Sequence, residues 1–326
     1  MMKAVICNAW GDPSPLTLED VPAKAPGAGE VRLRVRACGV NFADALMIQG
    51  KYQVRPPFPF SPGLEAAGDV LEVGAGVTHL KPGDRVLCIT SYGGMAEELV
   101  VPAEMVIPMP PSMDYAVAAG FPIAYGTSHV ALDHRAHLQP GETLLVLGAA
   151  GGVGLTAVEI GKKLGATVIA AASTPEKLAL TREYGADYTI EYTRENLRDR
   201  LKDITGGRGV NVVYDPVGGD MFDPALRSIA WEGRYLVVGF ASGTIPQLPA
   251  NLMLMKNASV VGVLWGAYAA NSPAVLRASL GTLLGWYAEG ALRPHISQTF
   301  LLEHAADALW SLLRRQSTGK VVVEIA

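Results

Sequence analysis

The run TLLVLGAAGGVGLTAVEIGKKLGATVIAAAS, residues 143–173, holds the side chains and glycines best suited to chemistry. It reads as strand, glycine loop, helix and second strand in about 30 residues, which puts the loop at a helix N-terminus. N–H groups without intrahelical acceptors and the positive end of the helix dipole attract a pyrophosphate there. Ala149, Ala150, Gly151, Gly152, Val153 and Gly154 form the cradle. Gly151 lets the backbone approach the phosphates, Gly154 lets the helix pack closely on the strand, and Ala149 stands where the dinucleotide fingerprint has its first glycine. About 20 positions on, where an NAD site carries a carboxylate for the ribose hydroxyls, this chain has Ser173, followed by Thr174 and Lys177. A hydroxyl and an ammonium suit a 2′-phosphate, so NADPH is the expected cofactor. The plain alternative has Ser173 capping the next helix and Lys177 in solvent.

Metal chemistry finds few donors. Cys7, Cys38 and Cys88 form no C-x-x-C pair, which excludes a disulfide scaffold and a four-thiolate zinc site and points to the cytoplasm. His134 and His137, three apart, share a helix face but have no third ligand nearby. The N-terminus lacks the charged, apolar and cleavage regions of a signal peptide. With 27 Lys and Arg against 31 Asp and Glu, the net charge of −4 argues against nucleic-acid or membrane-surface binding. Residues 115–132 and 257–276 lack charge, but Pro122, His129, Asn271 and Pro273 interrupt them, so buried segments are expected rather than membrane spans.

The positioning elements follow from pattern. At 326 residues, roughly two domains are expected. The 36 glycines show no period, which excludes collagen. The first part reads as short strands at 3–7, 30–37, 68–73, 85–87 and 96–101. Turns such as Pro26-Gly27, Pro62-Gly63 and Pro82-Gly83-Asp84 separate them. From about residue 125, apolar runs at 143–148, 167–172, 210–214, 235–239 and 259–264 alternate with helical patterns such as 153–164 and 175–184. Runs apolar on both faces, separated by helices, predict a doubly wound α/β domain with a parallel sheet. Helices at 273–289 and 305–315 and a strand at 321–325 close the chain, the strand returning to the first domain.

The motifs ACGVNFADALMIQGKY (37–52), PGLEAAGDVLEVGAGV (62–77), KPGDRV (81–86), AAGGVG (149–154), DPVGG (215–219) and STGKVVVEI (317–325) span the chain. In them it resembles the medium-chain dehydrogenase/reductase superfamily, in the zinc-free quinone oxidoreductase branch related to zeta-crystallin. The resemblance implies a GroES-like, mainly β catalytic domain at 1–125 and 266–326 and a Rossmann NADPH-binding domain at 126–265. Zinc-dependent relatives carry a ligating cysteine where this chain has Asn41, and a ligating histidine of a Gly-His-Glu motif where it has Leu64. A metal-free enzyme is therefore expected. Without a Lewis acid its acceptors should already be activated by conjugation.

The resemblance also assigns roles. Asn41, Asp44 and Tyr52 lie beside the nicotinamide, with Tyr52 as proton donor and Asn41 as a hydrogen-bonding contact. The plain alternatives make Asp44 a cap and Tyr52 a half-buried aromatic. Thr127, Tyr192, Gly239, Phe240, Leu264, Trp265 and Lys320 are further cofactor contacts, while Phe58, Phe60 and Trp265 line an apolar acceptor pocket. The edge strand GVLWG pairs across a homodimer. The implied function is NADPH-dependent reduction of a quinone or similar conjugated carbonyl. The alternatives are an enoyl reductase acting on 2-enones or unsaturated thioesters, and a non-catalytic NADPH-binding protein.

Overall fold

The computed structural model describes all 326 residues, in two compact units. One comprises Met1–Ile123 with Arg293–Ala326, the other Ala124–Leu292. The first contains β1 (Met2–Ile6), β2 (Thr17–Val21), β3 (Glu30–Val40), α1 (Phe42–Ile48), β4 (Glu65–Val73), β5 (Arg85–Ile89), β6 (Glu98–Pro102), β7 (Val106–Pro108) and α2 (Tyr115–Ala119). Helix α3 (Pro122–His129) follows. The second unit continues with β8 (Thr143–Leu147), α4 (Gly152–Lys163), β9 (Thr167–Ala172), α5 (Pro175–Glu183), β10 (Tyr188–Glu191), α6 (Leu197–Ile204) and β11 (Val210–Asp215). It ends with α7 (Phe222–Arg227), β12 (Ile229–Val237), α8 (Ala250–Lys256), β13 (Ser259–Gly262), α9 (Tyr268–Asn271) and α10 (Pro273–Ala288). Strand β14 (Ile296–Leu301), α11 (Ala305–Leu313) and β15 (Lys320–Glu324) complete the first unit.

The first unit is built on a seven-stranded sheet in the order β14-β15-β3-β4-β5-β7, with β6 also pairing β3. Alternating residues of β3 make this possible: Val31, Leu33 and Val35 are buried, while Arg32 and Arg34 point the other way. The C-terminal strand does return to this unit, where β15 runs antiparallel to β3 and sets Val321 opposite Val40. That register brings Lys320 beside the end of β3.

The second unit is a six-stranded, wholly parallel sheet in the order β10-β9-β8-β11-β12-β13. Numbered from β8, that is the 3-2-1-4-5-6 order of a doubly wound dinucleotide fold, whose ligands bind beyond the carboxyl ends of the strands where the order reverses. Here the reversal lies between β8 and β11. The glycine loop follows β8 and the DPVGG turn follows β11.

Two expectations shift. Residues 266–292, expected with the catalytic domain, belong to the second unit. Ser279 and Trp286 of α10 hold His129 there, at 2.9 Å from its Nδ1 and 5.3 Å between ring centroids. Residues 257–276, expected as a buried segment, are mostly partly or fully exposed, with Val263, Trp265 and Leu276 buried, and no helix is long and apolar enough to cross a membrane.

Candidate functional site

In the first unit, Asn41 is the N-cap of α1, and its backbone N–H donates to Asp44 Oδ2 at 2.8 Å. Asp44 Oδ1 accepts from the Gly63 N–H at 3.0 Å, so one side chain ties the start of α1 to the 62–64 turn. Asp44 is completely buried. It closes a capping box at the start of α1, the geometry of the plain alternative for this residue. Burial pushes its carboxyl up to about 7, while the Asn41 N–H and the Lys320 ammonium hold it from going higher.

The Asp44 shift fixes a pH dependence. The folded-state value lies above the unfolded one, so this group's stabilising contribution is fully present below about pH 4 and is lost as pH rises through about 7. Thermal melts from pH 5 to 8 should show stability falling by up to about 1.4 kcal/mol per pH unit from this group. Asp44→Asn should flatten that component while lowering stability throughout. An unchanged slope in the variant would remove Asp44 as its source.

Next to this brace lies a buried ion pair. Lys320 Nζ donates to Val40 O at 3.0 Å, Asn41 Oδ1 at 2.7 Å and Glu65 Oε1 at 2.8 Å. Glu65 Oε1 also accepts from Asn41 Nδ2 at 2.9 Å, and its Oε2 accepts from the Ile123 N–H at 2.8 Å. Because the amide oxygen faces an ammonium and the amide nitrogen a carboxylate, the orientation of Asn41 is fixed by charge. A lysine has three donors, and all three are engaged here. Lys320 thus serves as an internal strut between the end of β3, Asn41 and Glu65. Gly39 makes room for the cluster, since a Cβ there would strike Ala119 O and Glu65 Oε1.

Tyr52 is partly exposed and packs on the core of the same unit. Burial, and next the charge of Asp44, raise its phenol above the usual value. It therefore holds its proton at neutral pH. Phe58, 40% exposed, lies 4.4 Å from Trp10 between ring centroids, with Phe60 buried beneath and Tyr92 at its edge. No group of three or more His, Cys, Asp or Glu side chains is gathered closely enough to hold a metal ion. His134 and His137 stand 6.5 Å apart between ring centroids.

In the second unit, β8 runs into Gly148 at φ +59°, a conformation that favours glycine. The chain then turns through Ala149 and Ala150, both buried, into Gly151, the N-cap of α4. Gly152 and Val153 are partly exposed. No side chain caps this helix, so its first-turn N–H groups are available to an anion. At Gly154 a Cβ would land against Gly148 O and within 2.9 Å of Ala149 Cα, so only glycine lets α4 sit this close to β8.

Downstream, Thr174 rather than Ser173 caps α5, its hydroxyl accepting from Lys177 N at 3.3 Å. Ser173 and Lys177 are both partly exposed at the end of β9, as are Tyr192 after β10 and Gly239 and Phe240 after β12. Thr127 is almost fully buried in α3. Leu264 is half-exposed. Trp265 departs from expectation. Its ring is buried against Gly126, where any Cβ would collide with it. It is a packing wedge in this structure, neither an open pocket wall nor an open cofactor contact.

Glu65, Gly148 and Asp215 stand out only in three dimensions. Asp215 Oδ1 accepts from the N–H groups of Val217 and Gly218, both at 2.8 Å, and so shapes the turn after β11. The available signals were a lone carboxylate inside the apolar PGLEAAG run and a glycine closing a strand-like run.

Residues 27–111 match the alcohol dehydrogenase GroES-like domain and residues 152–280 the family described as zinc-binding dehydrogenase. The chain is 46% identical over 324 residues to quinone oxidoreductase-like protein 2 homolog of Nematostella vectensis, covering 98% of this chain and 88% of that protein. Among solved structures, Pseudomonas syringae pv. Tomato DC3000 quinone oxidoreductase superposes with a TM-score of 0.94 at 33% identity, covering 99% of this chain and 100% of that one. Escherichia coli quinone oxidoreductase complexed with NADPH gives a TM-score of 0.92 at 29% identity, covering 99% of both chains.

Proposed function

We propose that this chain, which belongs to the medium-chain dehydrogenase/reductase superfamily in its quinone oxidoreductase-like branch, is an NADPH-dependent, zinc-independent reductase of quinones. The observation that carries the proposal is the Asn41–Glu65–Lys320 cluster. The positions that ligate zinc in zinc-dependent relatives hold an amide locked by hydrogen bonds and the buried, apolar Leu64. The one nearby cation is the lysine of the chain itself, already paired with Glu65. This donor set does not fit zinc.

The second unit fits a dinucleotide. The uncapped first turn of α4, with Gly154 packed where a Cβ has no room, would hold the pyrophosphate through the N–H groups of Gly152, Val153 and Gly154. Ser173 and Lys177 would meet the 2′-phosphate, since the position at the end of β9 holds the Ser173 hydroxyl rather than a carboxylate. Tyr192, Gly239, Phe240 and Leu264 would flank the cofactor beyond the strand ends. NADPH, when bound, supplies the hydride. Asn41, held rigid, would present its edge to the reacting end, and Tyr52, where the acceptor is an enone, would hold a proton for the developing enolate.

The protonated state of Tyr52 also favours a second reading, an enoyl reductase, because carbon protonation needs a positioned donor whereas a reduced quinone takes its protons from water. Oxidation of NADPH with a panel of quinones and 2-enones decides between them. Under the first reading, Tyr52→Phe leaves quinone turnover within about twofold. Under the second it lowers enone turnover by about 100-fold. Turnover with no acceptor would refute both and leave a cofactor-binding protein. We also propose a homodimer through β13, which lies at the edge of its sheet with all four residues partly or fully exposed. Sedimentation of the same preparation at twice 34.4 kDa would support it, and a monomer mass would refute it.

A further inference from the structure

Ser128 lies next to Thr127 in α3 and is completely buried. Its hydroxyl is within hydrogen-bond distance of three partners on different segments. Val153 O in the first turn of α4 is at 2.9 Å, Thr156 Oγ1 one turn on is at 2.8 Å, and Tyr214 OH on β11 is at 2.9 Å. Thr156 Oγ1 reaches back to Ala124 O at 3.1 Å and to Val153 O at 3.0 Å. Tyr125 OH, on the same helix as Ser128, donates to Glu159 Oε2 at 2.6 Å.

A hydroxyl has one proton and two lone pairs, so three contacts saturate it. Protons can be placed without conflict: Tyr214 and Thr156 each donate to Ser128, and Ser128 donates to Val153 O. Burial raises the Tyr214 phenol far above its usual value, so its proton stays in place. Burying so many hydroxyls in an otherwise apolar layer is costly unless all are satisfied, and fully satisfied networks fix a single geometry. This one joins three segments: α3 with Thr127, the glycine-loop turn of α4, and β11, whose next residue, Asp215, shapes the 216–219 turn. Val217 of that turn abuts Gly148, where a Cβ would come within 2.9 Å of its Cγ2.

We propose that Ser128 is a positioning residue for the pyrophosphate loop, its hydroxyl fixing the first turn of α4 against α3 and β11. The inference rests on the reading of that turn as the NADPH site. Ser128→Ala and Tyr214→Phe should each raise the Kd and KM for NADPH by about tenfold, the equivalent of one buried hydrogen bond. Saturating NADPH should restore kcat to within about twofold, a split that general loss of folded protein does not produce. In the cofactor-free chain, amide exchange at Gly152–Thr156 should accelerate while that of β9 does not. Thr205→Ala, which removes a buried hydroxyl bonded to Leu201 O at the far end of α6, is the control and should change neither readout. If both variants fold and neither NADPH affinity nor local exchange moves, Ser128 is ordinary packing. Failure of the wild-type chain to bind NADPH would overturn the cofactor reading, and the exchange measurement would still judge the network.

Discussion

Lys320→Met is expected to destabilise the first unit by about 3–5 kcal/mol, the cost of leaving one member of a buried ion pair alone. Glu65 is fully buried, and in the variant its Oε1 would keep only the Asn41 amide as donor. The carboxylate would then sit uncompensated beside Asp44. Asn41 would lose the donor to its Oδ1, so nothing would hold its amide in one orientation. At roughly 2–4 °C per kcal/mol for chains of this kind, the melting transition should fall by about 6–20 °C. Pairing the change with Glu65→Gln is the informative control. The double variant has no buried charge at that position, so it should recover at least half of the loss and give a coupling energy well above about 1 kcal/mol. Quinone turnover should stay low in the double variant, because Asn41 is still released. Equal destabilisation by the single and double variants would mean that Lys320 acts through packing of its stem alone.

The cluster also shows where sequence reasoning stops. The glycine loop, β8, β9 and α4 are local, and their boundaries lie within a residue or two of the pattern because each run is apolar and bounded by glycine or a charged turn. The partners of Lys320 are 255 and 279 residues away, and nothing in STGKVVVEI tells whether the lysine faces a ligand or a carboxylate. Only the β15–β3 register decides it. Strand β2 escapes the pattern for a different reason. Four of its five residues are exposed, so it has no apolar period to read. Strand β12 begins at Ile229, before the run that marks it, because the Trp231-Glu232-Gly233 stretch, with Glu232 at φ +59°, looks like a turn. Asp44 and Trp265 share a further limit. Each sits beside residues of the right chemistry, but each is buried, and burial is a tertiary property.

Gly154 is where the local argument meets its sharpest test. In Gly154→Ala the added methyl meets the carbonyl of Gly148 and the Cα of Ala149, both backbone, so no side-chain rotation relieves it. Either α4 moves away from β8 or the turn between them opens. Both displace the N–H groups of Gly152, Val153 and Gly154 from a shared anion, and electrostatic holding of a pyrophosphate falls steeply with such misplacement. NADPH affinity is therefore expected to fall by about 100-fold or more in a chain that still folds. Gly281→Ala is the matched control. Gly281 lies within α10, and a methyl added there would meet nothing within 4 Å, so the helix should gain up to about 1 kcal/mol and NADPH binding should not change. The contrast separates two roles of glycine in one unit, close approach in the loop and mere tolerance in the helix. A Gly154→Ala protein that binds NADPH as the wild type does would show that the loop has room the structure does not give it, and the pyrophosphate would have to be sought elsewhere.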